Sequence, residues 1–389
     1  MLYAFSEPPI PLSNVVTPRQ SLTQLIYTMT EFDPKDMEYR FLGNTGLRVS
    51  VLSYGGWLTV TDDSERITKE CFEEAWKHGV NFFDTVCTQF MLAWTVRYGA
   101  NLRQAEVYHN GECETVFGKV FKELGWTRSD YVVSTKLYFG FGEKSPNGRG
   151  LSRKHLMEGM DKSLKRLQMD YVDIVFAHRP DRDGVPMEEV VRAFTQIIQD
   201  GKAFYWGTSE WSAFEIEHAH HIATKYGLIP PIAEQPEYSM LKRDRFEGEY
   251  YPLYQLYKYG TTVWSPLAGG ILTGKYNDGF APGTRYGDAS SPVVKRIKSS
   301  WESPEGKAKI EKVKKLTSIA EELGCTTAQL ALAFLLKNPA VSTIITGSSK
   351  AEQLKENMVA LKVYRKLTDE HVEKIEKILE NKPDYFTLF

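Results

Sequence analysis

The feature that most constrains this chain is an alternation beginning at Val51, in which a short apolar run is followed by an amphipathic stretch, eight times over. The apolar runs are Val51–Tyr54, Asn81–Asp84, Tyr131–Lys136, Val172–His178, Ala203–Thr208, Ile232–Gln235, Thr261–Ser265 and Ser342–Ile345. Runs of this length between helical patterns read as parallel strands, because parallel neighbours need a crossover and a helix usually makes it. The clearest helix opens at Ser152, a good N-cap, and sets Leu156, Met160, Leu164 and Leu167 on one face. Lys154, Glu158, Lys162 and Arg166 fall on its polar side. Eight units over about 310 residues match a closed (β/α)8 TIM barrel, an α/β fold, better than an open sheet. No Gly-x-Gly-x-x-Gly follows any of the strands, which argues against a Rossmann nucleotide site.

Around this core the pattern changes. Residues 1–36 carry Pro8-Pro9-Ile10-Pro11 and no sustained period, so they read as an irregular extension, or as a start assigned upstream of Met29 or Met37. Tyr39–Leu42 and Leu47–Ser50, joined by Gly43-Asn44-Thr45-Gly46, read as an N-terminal β-hairpin. The barrel domain is expected over 37–383, with a polar insertion from Tyr276 to Pro304, a flanking C-terminal helix at Thr368–Leu379 and a tail at 384–389.

Composition removes several functions. A net charge of −2 and a pI near 6.5 provide no basic field for nucleic acid or an anionic membrane. No uncharged apolar run approaches a membrane span, and the start lacks the basic-then-apolar layout of a signal peptide. The four cysteines are scattered without a Cys-x-x-Cys pair, which fits a reduced, cytoplasmic setting.

Barrels of this kind carry their active sites where strands end. Reading the strand ends returns Asp84, Lys136 and His178, with Tyr108 in the loop after the second strand. Singly, such an aspartate caps a helix and such a histidine fills a core. Together they suit proton donation to a carbonyl oxygen. A free tyrosine, with a pKa near ~10, is a poor acid at neutral pH. A neighbouring lysine ammonium favours the phenolate and lowers that value, a carboxylate holds the lysine in place, and an imidazole can orient the carbonyl. A hydride donor is then required. His218, His220 and His221 with Glu215 and Glu217 form a second cluster, but only His218 and His221 share a helix face and no third ligand converges, so no metal site is expected.

Phe83-Asp84-Thr85 with Ala105-Glu106-Val107-Tyr108, Ser134-Thr135-Lys136 and His178-Arg179-Pro180-Asp181 resemble the aldo-keto reductase signature. Gly201–Ser212 and Trp264–Gly270 resemble most closely the branch that holds the voltage-gated potassium channel β subunits and their reductase relatives. The resemblance runs from about Tyr39 to Pro383, excluding 86–104. It implies NADPH extended across the barrel mouth, with Gly56 and Trp57 near the nicotinamide and Ser209 and Gln235 on its carboxamide. It further implies that Trp264, Ser265, Pro266, Leu267 and Ala268, with Lys275 and Arg285, follow the phosphates. Gly347, Ser349, Gln353, Glu356 and Asn357 would hold the adenosine half. Independently, Gly347-Ser348-Ser349 is expected to open a helix after the eighth strand, where N–H groups favour a phosphate, with Lys350 suiting NADPH over NADH. His178 stands where some channel β subunits have asparagine, as in working reductases. The implied function is reduction of a small aldehyde or ketone. The alternatives are a channel β subunit, homotetrameric and with NADPH as a redox sensor, and, more remotely, a Schiff-base aldolase using Lys136.

Residues 86–104 interrupt the signature between Thr85 and Ala105. Val86-Cys87 can be encoded by GTNTGY, Ala100-Asn101 by GCTAAC and Gln104 by CAG, the marks of a short retained intron. The nineteen codons are 57 nucleotides and keep the frame. The competing reading is a true loop insertion.

Overall fold

The computed structural model describes residues 32–56, 64–85, 112–140, 145–181, 184–288 and 292–384. Trp57, Tyr108 and the interruption at 86–104 lie outside the described residues.

The chain enters through an antiparallel hairpin, β1 (Tyr39–Phe41) and β2 (Arg48–Ser50), in register Tyr39↔Ser50. The barrel follows as β3 (Leu52–Gly55), α1 (Ser64–Lys77), β4 (Phe82–Asp84), α2 (Glu112–Leu124), β5 (Val132–Leu137) and α3 (Arg153–Leu167). Next come β6 (Val172–Ala177), α4 (Met187–Gln199), β7 (Ala203–Ser209), α5 (Ala213–Tyr226) and β8 (Ala233–Gln235). The last units hold α6 (Tyr251–Tyr257), β9 (Gly260–Val263), α7 (Pro292–Glu302), α8 (Pro304–Glu322), α9 (Thr327–Leu336), β10 (Thr343–Thr346), α10 (Ala351–Met358), α11 (Ala360–Lys366) and α12 (Asp369–Leu379). Eight parallel strands close in the order β10-β3-β4-β5-β6-β7-β8-β9, each within one or two residues of its expected bounds. The fold is therefore the (β/α)8 barrel with hairpin and flanking helix that the alternation implied.

Sequence chemistry explains the local elements. Ser152 accepts the His155 N–H and starts α3, which buries Leu156, Met160 and Leu167 while Leu164 stays half-buried. All ten residues of α9 are buried, which accounts for its apolar composition. Among the described residues no single helix is long and apolar enough to cross a membrane. The Arg40 guanidinium satisfies carbonyls at the end of α9, at Leu336 (3.0 Å), Asn338 (3.3 Å) and Val341 (2.8 Å), and so pins the hairpin to the last barrel unit. Gly43, with φ +62°, crosses beneath the barrel, where a Cβ would lie 2.6 Å from the Ile232 carbonyl oxygen.

Two expectations need correction. The stretch from Tyr276 to Pro304 is more than polar decoration. Tyr276 and Tyr286 are buried with ring centres 5.1 Å apart and meet Phe280 at 5.2 and 5.6 Å, and α7 forms within it. Gly347-Ser348-Ser349 does not open a helix, because α10 begins at Ala351 with Lys350 as its N-cap and no side-chain cap bond. Ser349 instead bonds ahead to Gln353, its N–H at 3.0 Å and its hydroxyl at 3.1 Å.

Gly118 marks a tight crossing of α2 against α3. A Cβ there would sit 2.4 Å from the Leu167 carbonyl oxygen at the end of α3. Helix propensity alone would favour alanine by about 1 kcal/mol. Gly118→Ala is nevertheless expected to destabilise the protein by about 1–3 kcal/mol, because the crossing must widen. Urea denaturation measures this, and a midpoint equal to or above that of the wild type would show that the crossing yields freely.

Candidate active site

The interior of the barrel is layered. Leu42 and Val49 of the hairpin region plug its floor together with Phe82, Val132, Ile174, Phe176 and Ala233, all buried in one cluster. Side chains on a strand return to the same face every second residue. The next inward positions above those apolar residues are Asp84, Ser134 and then Lys136, His178 and Gln235. The same alternation that fills the floor with hydrocarbon thus delivers polar groups to the rim.

There Lys136 Nζ donates to both carboxylate oxygens of Asp84, each at 2.7 Å, and to the Thr85 carbonyl at 2.8 Å. Asp84 Oδ1 also accepts from Ser134 Oγ at 2.5 Å and from Gln235 Nε2 at 3.2 Å. Gln235 Nε2 reaches Thr262 Oγ1 at 3.1 Å, and the Gln235 carbonyl accepts from Ser209 Oγ at 3.0 Å. Asp84 and Lys136 are each 1% exposed, so the two charges have little besides each other and these dipoles to replace water. Removing one partner of such a pair leaves a bare buried charge, at a cost of about 3–5 kcal/mol.

His178 follows β6, and its N–H bonds the Leu137 carbonyl at 3.0 Å. Burial, then the Arg179 and Lys136 charges, push its imidazole well below the usual histidine range. The ring is therefore neutral at neutral pH and packs edge-on to Phe139 at 5.2 Å. A neutral imidazole can hydrogen-bond a carbonyl oxygen without competing as an acid.

Of the expected cofactor residues, Gly56 follows β3, Ser209 and Gln235 end β7 and β8, and Trp264 follows β9. Gly56 has room only for hydrogen, since a Cβ would meet Phe117 at 2.6 Å and Cys113 at 2.7 Å. Trp264 donates its indole N–H to Glu210 Oε1 at 3.1 Å. The loop beyond Trp264 turns sharply at Ser265 (φ +57°), Ala268 (φ +48°), Gly269 (φ +67°) and Gly270 (φ +100°), past Pro266 and Leu267. Left-handed backbone is uncommon for non-glycine residues, and here the Ala268 and Gly270 N–H groups turn back to the Ser265 and Leu267 carbonyls, each at 2.9 Å. Lys275 and Arg285 are exposed beyond that loop. At the end of β10, the Ser348 hydroxyl is buried with no hydrogen-bond partner among the described residues. Gly347, Ser349 and Gln353 flank it, Asn357 is buried, and the Glu356 carbonyl accepts from Gln329 Nε2 at 3.0 Å. The orphaned Ser348 hydroxyl fits a polar group of an extended cofactor.

Reading only strand ends missed Ser134, Thr85 and two glutamates. Glu210 adjoins Ser209. Glu234 precedes Gln235, and by alternation it faces away from the barrel interior. A carboxylate inside the short apolar strand Ile232–Gln235 was itself a signal. Glu234 accepts from Thr208 Oγ1 at 2.5 Å and from the Trp211 N–H at 3.2 Å, and it is 1% exposed. Burial pushes its pKa up to about 8, with the Glu210 charge adding to the rise, against the Thr208 bond and Arg245. In the helical histidine cluster, His220 stacks on Tyr257 at 4.0 Å, and burial lowers its pKa to about 4. Among the described residues no group of three or more histidine, cysteine or acidic side chains is placed to hold a metal ion.

A closed (β/α)8 barrel thus carries a buried acid–lysine pair and a neutral histidine at its C-terminal rim, where barrels of this kind hold their active sites. Residues 51–380 match the model of the aldo/keto reductase family, and the chain belongs to that family. It is an oxidoreductase by membership, and members of the family use NAD(P)H. It is similar, at 54% identity over 356 residues, to the protein of Schizosaccharomyces pombe named "Putative voltage-gated potassium channel subunit beta". That match covers 91% of this chain and 96% of the relative. Proteins of Oryza sativa subsp. japonica and Arabidopsis thaliana, each named "Probable voltage-gated potassium channel subunit beta", are 46% and 44% identical. Each of these matches covers 89% of this chain and 98% of the relative.

The raised pKa of Glu234 makes stability depend on pH. The unfolded carboxyl titrates near 4.5 and the folded one near 8. Between those values the folded state binds the extra proton, so its contribution is complete below the unfolded pKa and is lost as pH rises through the folded one. Stability should fall with pH in that window by as much as about 1.4 kcal/mol per unit. Glu234→Gln, neutral throughout, should show a shallower decline in urea melts from pH 5 to pH 8. Parallel curves for the two proteins would overturn the assignment.

Proposed function

We propose that the protein is an NADPH-dependent reductase of small aldehydes or ketones, with Tyr108 as the proton donor. The observation that carries this reading is the buried contact of Lys136 with Asp84 at the barrel rim, bonded at 2.7 Å through both carboxylate oxygens. Asp84 holds the Lys136 ammonium in place, and Ser134 and Gln235 fix Asp84 in turn. A lysine ammonium favours the phenolate of a tyrosine beside it, so Lys136 would lower the pKa of Tyr108 from near ~10 and free its proton for a carbonyl oxygen. Neutral His178 would donate a hydrogen bond to that oxygen and orient the carbonyl. NADPH, when bound, supplies the hydride. Ser209 and Gln235 would hold its carboxamide, the Trp264–Ala268 loop with Lys275 and Arg285 its phosphates, and Gly347, Ser349, Gln353, Glu356 and Asn357 its adenosine half, with Gly56 and Trp57 at the nicotinamide end.

The names of the relatives favour a second role that can coexist with the first: a cytoplasmic, homotetrameric partner of a potassium channel α subunit, with the bound nucleotide as its redox sensor. Co-purification with a channel and a fourfold-symmetric assembly would support it, and a monomer turning over aldehydes would count against it.

Residues 86–104 bear on both roles, and we read them as the translation of a retained intron. Thr85 is held firmly, its N–H at 2.9 Å and its hydroxyl at 2.8 Å from the Ser134 carbonyl, and α2 starts only at Glu112. Barrel connections longer than roughly 12–15 residues are uncommon. Sequencing the mature transcript between the codons for Asp84 and Tyr108 should show the 57 nucleotides absent; their presence in ribosome-bound message would make the insertion genuine.

Tyr108→Phe should leave NADPH affinity unchanged within about twofold. It should lower kcat for a small aldehyde by about 10²–10⁴-fold, the usual contribution of a positioned acid. Steady-state kinetics with a direct cofactor titration separates the two effects, and turnover at the wild-type rate would remove Tyr108 from the role.

A further inference from the structure

Glu210 stands immediately after Ser209 at the top of β7, in left-handed backbone (φ +59°) that a side chain rarely adopts. One oxygen of its carboxylate, Oε1, accepts from the Glu237 N–H at 2.7 Å and from the Trp264 indole N–H at 3.1 Å. The other, Oε2, accepts from Arg245 at 3.1 Å, and the Glu210 carbonyl accepts from the same guanidinium at 3.3 Å. Glu237 and Trp264 are themselves bridge partners beyond the ends of β8 and β9, with the Trp264 N–H on the Pro236 carbonyl at 3.0 Å. A single carboxylate thus joins the ends of three consecutive strands and ends on one aromatic ring.

We infer that Glu210 is a positioning residue for the cofactor, acting by holding the indole of Trp264 in one orientation. The inference rests on the proposed placement of Trp264 against NADPH. An indole has two rotatable side-chain bonds and one polar atom, so an acceptor at that atom fixes the ring as a whole. A charged acceptor makes the bond stronger than a neutral one would. A carboxylate near an anionic cofactor would ordinarily repel it, and Arg245 offsets that charge. Without the acceptor the ring must be ordered by the cofactor itself, which weakens binding. The strained backbone at Glu210 is consistent with a residue held in place by its contacts.

The test is equilibrium titration of the full-length protein with NADPH, read by nicotinamide fluorescence, across a double-mutant cycle. Glu210→Ala should weaken binding roughly three- to tenfold, the range for losing one such hydrogen bond. Trp264→Phe should weaken it on its own, and adding Glu210→Ala to Trp264→Phe should cause no further loss. Glu210→Gln keeps an oxygen for the indole and should stay within about twofold of wild type, with the thermal midpoint recorded for each variant. Equal losses from Glu210→Ala in both backgrounds would overturn the inference, since Glu210 would then act other than through the indole. The same conclusion would follow if Arg245→Met reproduced the loss and Glu210→Gln failed to restore binding. If Trp264→Phe weakens binding and Glu210→Ala does not, the positioning role fails while the cofactor placement stands. If Trp264→Phe leaves affinity unchanged, the placement fails and the inference with it.

Discussion

The ion pair between Lys136 and Asp84 is the constraint on which the rest of the site depends. A buried ammonium and carboxylate are stable only when each finds the other and the remaining lone pairs are satisfied. Here that requires Thr85 and Asp84 from one strand, Ser134 and Lys136 from the next, and Gln235 from across the barrel. No two adjacent strands could supply this set. Closure of the barrel is therefore a condition of the site, and the hairpin region plugs the floor at the opposite end with Leu42 and Val49.

The same geometry separates two kinds of carboxylate. Asp84 faces inward and is paired with a lysine. Glu234 faces the helices, where Thr208, Trp211 and the nearby Tyr250 surround it, and its acid is held largely protonated near neutral pH. Glu210, between them in sequence and half-buried at the rim, keeps company with Arg245 and Trp264. Three acids within one barrel sector thus serve three purposes: charge pairing, a buried neutral hydrogen-bonding group and a fixed acceptor. Environment, and not residue type, distinguishes them.

Membership of the aldo/keto reductase family and similarity to proteins named as channel β subunits do not exclude each other. The catalytic reading needs the barrel mouth alone. A channel partner would need an outer face, and the rim chemistry neither requires nor forbids it. His178 keeps the reductase reading open in a chain whose relatives carry channel names, because a neutral buried imidazole beside the acid–lysine pair has a specific use in carbonyl chemistry.

Much of this was legible in the chain itself. Alternation with a period of two inside each strand, and the recurrence of strand and helix, determined eight barrel units and named Asp84, Lys136 and His178, because strand ends in such a barrel meet at one rim. Helix starts with a local cap, such as Ser152, were equally readable. Contacts between distant segments were not. The Gln235 bond to Asp84, the hold of Glu210 on Trp264, the close crossing at Gly118 and the packing of Tyr276 against Tyr286 join residues that share no local pattern. Strand pairing and helix docking alone bring them together. The opening of α10 at Ala351 was misread for a related reason, since Ser349 could have capped a helix but turns its bonds to Gln353 once β10 has fixed its position. Local physics selects elements, whereas burial and long-range hydrogen bonding decide what each polar group finally does.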